Sequence, residues 1–98
     1  MKNRFVFATL LSFSAALVAL PAGAAGDAAA GKAKAAACAS CHGADGNSAN
    51  PEWPKLAGQH DKYLAKQLAN FKAGERSNPM MSPMAAPLSD QDMADIAA

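Results

Sequence analysis

Residues 38–42 read Cys38-Ala39-Ser40-Cys41-His42, and this C-x-x-C-H stretch holds both cysteines of the chain. The alanine-rich run 28–37 that leads into it is a strong helix former. We therefore expect the motif on the last turn of that helix or just after it. The two thiols then lie about one helical turn apart, and the imidazole of His42 is next to them.

Four kinds of site use such a cysteine pair, and the surrounding sequence favours one. A thioredoxin-like dithiol needs a strand before the motif, whereas a helix is predicted here. A zinc site needs four ligands, and His60 is the further candidate besides His42. A disulfide between Cys38 and Cys41 would be strained and would close almost no loop. C-x-x-C-H is the attachment signature of c-type haem. We predict one haem c per chain, bonded to both thiols, with His42 as the proximal iron ligand.

The second axial ligand is expected in the segment Pro79-Met80-Met81-Ser82-Pro83-Met84, which we interpret as a loop stiffened by its prolines. A methionine ligand raises the reduction potential and suits an electron carrier. Residue types alone do not choose among Met80, Met81 and Met84. His60, at a predicted helix start, is expected to cap that helix or face water. Its ligation, the alternative, would give a bis-histidine carrier of lower potential.

The first 24 residues have the layout of a secretory signal peptide. Lys2 and Arg4 precede the apolar run 5–20, and Ala22-Gly23-Ala24 forms a small-x-small cleavage pattern. The run is short for a membrane span, which needs roughly 20 apolar residues. We therefore predict cleavage after Ala24, a periplasmic location and no stable membrane insertion afterwards.

The remaining residues 25–98 carry seven lysines and arginines against eight acids, a net charge of −1. This balance argues against a nucleic-acid binder, which needs a basic surface. Their apolar content is largely alanine, and their aromatic residues are Trp53, Tyr63 and Phe71. Burying these few apolar side chains, at about 25 cal/mol per Å², does not easily offset the conformational entropy that the chain loses on folding. A bound cofactor would supply the missing core.

Three helices are predicted, and no strand pattern is present. The first is capped by Asp27, and the second runs from near His60 or Asp61 to a stop at Gly74. The third opens at Ser89 with Asp92 three residues later, as in a capping box, and Met93 is expected in the core. Two long loops, 43–58 and 75–87, are expected to wrap the cofactor. The lysines of the second helix, Lys62, Lys66 and Lys72, are interpreted as a solvated face, with a docking patch for an acidic partner as the alternative.

Residues 25–98 resemble bacterial class I cytochromes c of the cytochrome c4/c553 kind. The matching stretches are C-A-S-C-H-G-A-D-G-N-S at 38–48, W-P-K-L-A-G-Q-H at 53–60 and the segment 79–98, with Gly74 and Arg76 between them. The resemblance implies an all-α fold of three to four helices around one haem. It also implies that the distal ligand is eight residues before Ser89, at Met81.

The resemblance further implies one-electron transfer in the periplasm, in a respiratory chain, between redox proteins such as a donor cytochrome complex and an accepting terminal oxidase or reductase. The family's last helix continues past Ala97-Ala98 with an aromatic residue, so we expect that the C-terminal helix is truncated. The first half of a dihaem cytochrome c4, or a subunit that feeds a catalytic partner, is the alternative. A ligand-sensing haem protein with an open sixth site is a third class. No residue pattern for hydrolysis or phosphoryl transfer is present.

Overall fold

The computed structural model describes residues 8–16 and 25–98. Residues 8–16, the described part of the predicted signal peptide, form neither helix nor strand and are exposed. The predicted cleavage pattern at Ala22-Gly23-Ala24 lies outside the described residues. Among the helices that are described, none has the length and apolar character needed to cross a membrane.

Residues 25–98 form five α-helices and no β-strand, which confirms the predicted all-α class. The helices are α1 (Ala28–Lys34), α2 (Ala39–His42), α3 (Asp61–Ala73), α4 (Met81–Ala85) and α5 (Asp90–Ala97). A 3₁₀ turn, Ala35–Ala37, continues α1 towards α2. The chain therefore contains the three predicted helices and two short ones.

Local capping explains one end of each of the three longer helices, the starts of α1 and α5 and the end of α3. The Asp27 side chain accepts hydrogen bonds from the backbone N–H groups of Ala29 and Ala30, at 2.9 and 3.3 Å. Ser89 and Asp92 form a reciprocal capping box at the start of α5. Gly74, in the left-handed conformation, ends α3. All three features were predicted from sequence.

The prediction of a loop over residues 75–87 was wrong, because this segment contains α4. The Asn78 side-chain oxygen accepts from the N–H groups of Met80 and Met81, both at 2.9 Å. The Asn78 carbonyl accepts from Ser82 N–H at 3.0 Å. Asn78 thus starts a helical turn. Pro79 follows at a position whose backbone N–H would have no partner in the helix, so that its absence costs nothing. Three prolines in the segment concealed this start signal.

The helices pack with α5 between α1 and α3, and α4 against α3. The buried apolar side chains are Phe71, Ala85, Met93 and Ala97, so the predicted core position of Met93 is confirmed. At the crossing of α1 and α5, a Cβ atom on Gly31 would collide with the backbone carbonyl of Asp95. The two helix backbones are therefore closer there than any side chain on Gly31 would allow.

Asp95 is a buried carboxylate that ties the same crossing together. Its oxygens accept hydrogen bonds from Asp27 N–H at 2.8 Å, Gln91 Nε2 at 2.8 Å and Lys34 Nζ at 2.6 Å. Lys34 also pairs with Asp92 at 2.9 Å. The bond from the Asp27 backbone, followed by the one from Lys34, lowers the pKa of Asp95 from 3.8 to about 2. Sequence analysis did not identify this network.

The network predicts a loss of stability in acid. The ionised form of Asp95 stabilises the fold above the unfolded-state pKa of about 3.8, and this contribution is lost as the pH falls towards about 2. We expect Asp95→Asn to lower the melting temperature by several degrees at neutral pH and to flatten its further fall between about pH 4 and pH 2. Calorimetry on the holoprotein across that range measures both effects.

Asp90→Asn is the matched control, because Asp90 is an exposed carboxylate at the start of the same helix. It should leave the acid limb of the stability curve close to that of the wild type. Identical curves for the Asp95 and Asp90 variants would contradict the stabilising role of the network.

Candidate functional site

The C-x-x-C-H motif lies on α2 and the residue before it, directly after the first helix and its 3₁₀ extension. The His42 backbone N–H donates to the Cys38 carbonyl at 2.9 Å, so the motif spans one helical turn. Both cysteines are free and half-buried, and burial raises the pKa of the Cys38 thiol. The sequence prediction that the motif follows the first helix is confirmed.

His42 is buried, with 7% of its surface exposed, and one hydrogen bond orients its ring. Nδ1 lies 2.8 Å from the Pro54 carbonyl oxygen. Because a carbonyl can only accept, Nδ1 is the donor, and a neutral His42 then has its lone pair on Nε2. Metal-bound histidines typically donate their second ring N–H to a carbonyl in this way. The ring is therefore prepared for ligation through Nε2.

The loop after α2 returns Pro54 to His42. The N–H groups of Leu56 and Ala57 donate to the Gly46 carbonyl at 2.9 and 3.0 Å, which folds the loop back on itself. The Ser48 hydroxyl donates to the Asn50 carbonyl at 2.8 Å and lies 3.3 Å from the Cys41 carbonyl, so this part of the loop is next to α2. The predicted loop over residues 43–58 thus contains no helix or strand and still has a defined backbone.

A single cavity brings the predicted ligands together. It has a volume of about 1590 Å³, larger than the ~300–1,000 Å³ of typical small-molecule sites. Its lining is mainly apolar and comes from all five helices, the 3₁₀ turn, the loop 43–58 and the segment between α3 and α4. The lining includes all predicted haem-binding residues and candidate ligands, namely Cys38, Cys41, His42, Met80, Met81 and Met84.

The methionines approach the cavity from the side of α4. Met81 is half-buried at the first position of the helix, whereas Met80 and Met84 are 52% and 43% exposed. The predicted loop placement was wrong for Met81 and Met84, which lie on α4, whereas Met80 lies in the turn before it. His60 is exposed and does not line the cavity, and its side chain makes no capping bond to α3.

Two contributors to the site were not predicted from sequence. The Pro54 carbonyl, which orients His42, is a backbone group and has no residue-type signature. Asn78, which caps the turn before Met81, is a capping residue followed by proline, and that pair is a helix-start signal. The Pro54 contact is evident only from the fold, whereas the helix start at Asn78 could have been predicted from the sequence.

The family model for cytochrome c matches residues 28–98. The chain is 58% identical over 52 residues to cytochrome c4 of Thiocapsa roseopersicina, a match that covers 53% of this chain and 27% of that protein. It is 52% identical over 46 residues to the thiosulfate dehydrogenase electron acceptor of Stutzerimonas stutzeri strain A1501, covering 47% and 21%.

A solved structure, reduced recombinant cytochrome c4 from Pseudomonas stutzeri, has a TM-score of 0.71 and 52% identity. The match covers 74% of this chain and 43% of that one. The chain matches only about a quarter of the length of its curated cytochrome c4 relatives.

The backbone conformation of Gly43, directly after His42, predicts the effect of a substitution there. Its φ of 84° and ψ of 151° are accessible essentially to glycine alone, and a Cβ would approach the Asn47 carbonyl oxygen to 2.6 Å. We expect Gly43→Ala to destabilise the protein by ~1–3 kcal/mol from the backbone conformation, with a further loss from the contact with Asn47. Denaturant unfolding of the holoprotein measures the change.

Gly58→Ala separates the two effects, because Gly58 also has a positive φ, 81°, but has open space where its Cβ would lie. It should destabilise the protein less than Gly43→Ala. Equal losses for the two variants would show that the close approach to Asn47 does not matter.

Proposed function

The chain belongs to the cytochrome c family, and we propose that it carries single electrons on a haem attached to Cys38 and Cys41 and ligated by His42 and Met81. Membership of the family implies a covalently bound haem c with its iron. The observation that carries the proposal is the cavity in which both free thiols and the oriented His42 ring meet the methionines of α4.

The residues present fit that cofactor. Two uncrosslinked thiols on one helical turn are available for thioether bonds. The donation from Nδ1 of His42 to Pro54 leaves Nε2 free to bind iron. The cavity walls are mostly apolar and suit a flat hydrophobic group. When bound, haem supplies an iron that changes its charge by one as it gains or loses an electron.

The chain's own residues fix the electronic surroundings of that iron. The Pro54 carbonyl holds the ring orientation of His42 and raises its basicity as a ligand. Asn78 positions the start of α4, and with it Met81, through its hydrogen bond to the Met81 backbone. A thioether ligand favours the reduced iron and therefore a higher reduction potential. If His42 and Met81 both held the iron, no ligand position would remain for a substrate, so we propose an electron carrier and not an enzyme.

Met81 is proposed over its neighbours for two reasons. It is the least exposed of the three methionines that line the cavity, and the family pattern places the ligand eight residues before Ser89. Met80 and Met84 would then pack at the rim of the site.

The partners are proposed to be redox proteins, with a donor cytochrome complex on one side and a terminal oxidase or reductase on the other. The relative named as an electron acceptor of thiosulfate dehydrogenase supports such a role. Residues 1–24 are proposed as the signal peptide that directs the chain to the periplasm.

A second candidate is the first haem domain of a dihaem cytochrome c4, or an electron-transfer subunit of a catalytic complex. It is favoured by the coverage, since the chain matches 43% of the cytochrome c4 structure.

Covalent attachment predicts the behaviour of Cys41→Ala. We expect at most one thioether bond and little stable holoprotein, because one sulfur remains to hold the haem. The wild type, purified from the periplasm of cells that mature c-type cytochromes, should have the mass of the chain from residue 25 plus one haem.

Intact-mass spectrometry distinguishes the outcomes. Ser40→Ala, within the same motif, is the control and should retain the full haem mass. A bare polypeptide mass for the wild type would refute the proposed attachment. A larger wild-type mass with two haems would support the dihaem alternative.

Methionine ligation predicts the behaviour of Met81→Ala. The haem should remain attached, the reduction potential should fall and the reduced protein should bind carbon monoxide at neutral pH. Met84→Ala is the matched control, one turn along α4, and should change neither the potential nor carbon monoxide binding substantially. Spectroelectrochemical titration measures the potential. If Met81→Ala changed neither the potential nor carbon monoxide binding, the distal ligand would be Met80 or Met84 and not Met81.

A further inference from the structure

Arg76 is a cation on the cavity wall that is not paired with a carboxylate. It lines the cavity together with Phe71 and Gln67. The ion pairs within the described residues involve Lys34 with Asp92 and Asp95, and none involves Arg76. Its charge is therefore not neutralised by the part of the chain that the structure describes.

Three contacts hold Arg76 in place. The chain reverses at Gly74, and the Arg76 backbone N–H donates to the Asn70 carbonyl at 3.1 Å. Nη1 donates to Gln67 Oε1 at 2.8 Å. The guanidinium carbon lies 4.6 Å from the centre of the Phe71 ring, in cation–π contact. Arg76 is exposed, and these contacts restrain its guanidinium against the buried Phe71 ring.

The lysines of α3 differ from Arg76 in position. Lys62 and Lys66 are exposed and do not line the cavity. Lys72 donates to the Leu88 carbonyl, which ties α3 to the segment before α5. Among the cations of α3 and the turn that ends it, Arg76 is thus the one at the cavity.

A fixed positive charge beside a redox centre favours its reduced form. Reduction adds one electron from an external donor and lowers the charge of the iron by one, with no bond made or broken and no proton needed. A nearby cation stabilises the less positive state, and water and salt screen part of that effect because Arg76 is exposed on its other side.

We propose that Arg76 is a potential-setting residue, which raises the reduction potential of the bound haem through its fixed charge. This inference rests on the proposed electron-transfer function. It assigns to Arg76 a role that the axial ligands do not cover, namely the adjustment of the potential from the wall of the cavity.

The test is the reduction potential of three variants of the holoprotein, measured by spectroelectrochemical titration. We expect Arg76→Gln to weaken the affinity for the electron about tenfold, which corresponds to a fall of ~59 mV for a one-electron couple. Arg76→Lys keeps the charge and should retain most of the potential. Lys66→Gln removes one charge from the exposed side of the same helix and should change the potential much less.

The absorption band of methionine-ligated ferric haem checks that the axial ligand is intact in each variant. An unchanged potential in Arg76→Gln would overturn the inference, as would an equal fall in Lys66→Gln or in Arg76→Lys. A fall that accompanies loss of the methionine band would also overturn it, since the effect would be structural. A wild type without reversibly reducible haem would instead refute the proposed function itself.

Discussion

The hydrogen bond between His42 Nδ1 and the Pro54 carbonyl links the local motif to the rest of the fold. Residues 38–42 place two thiols and an imidazole on one helical turn without help from distant residues. The direction of the imidazole depends on the loop 43–58, which must fold back through Gly46 before Pro54 can accept the bond. The orientation of His42 and the shape of the cavity that it lines therefore both depend on the folding of this loop.

The same dependence extends to the packing of the helices. Four apolar residues are buried, of which Phe71 and Met93 are large. Several of the other apolar side chains of α3 and α4 line the cavity, namely Leu64, Leu68, Met81 and Met84. At about 25 cal/mol per Å² this leaves little stabilisation from the polypeptide alone. The crossing of α1 and α5, with its close backbones and the buried carboxylate of Asp95, holds these two helices together through contacts within the polypeptide itself.

Sequence reasoning succeeded where structure is decided by neighbouring residues. The caps at Asp27, Ser89 and Gly74 each act within a few residues, and so does the spacing of the C-x-x-C-H motif. It failed for α4, because the prolines of that segment outweighed the start signal at Asn78. It could not find the Pro54 contact or the Asp95 network, since both join residues far apart in the chain. The distal ligand stays a prediction, because all three methionines reach the same cavity.

The thiols and the group that orients His42 lie in two different segments, the C-x-x-C-H motif and the loop 43–58. This division affects which substitutions the protein can accept. Residues that present the thiols are confined to five consecutive positions, whereas residues that set the character of the His42 ring lie twelve positions later. Substitutions in the loop can therefore alter how strongly the imidazole donates electron density without touching the positions that capture the cofactor. In the electron carrier that we propose, haem attachment and the electronic character of His42 are therefore encoded in different parts of the chain, so that each can change while the other is preserved.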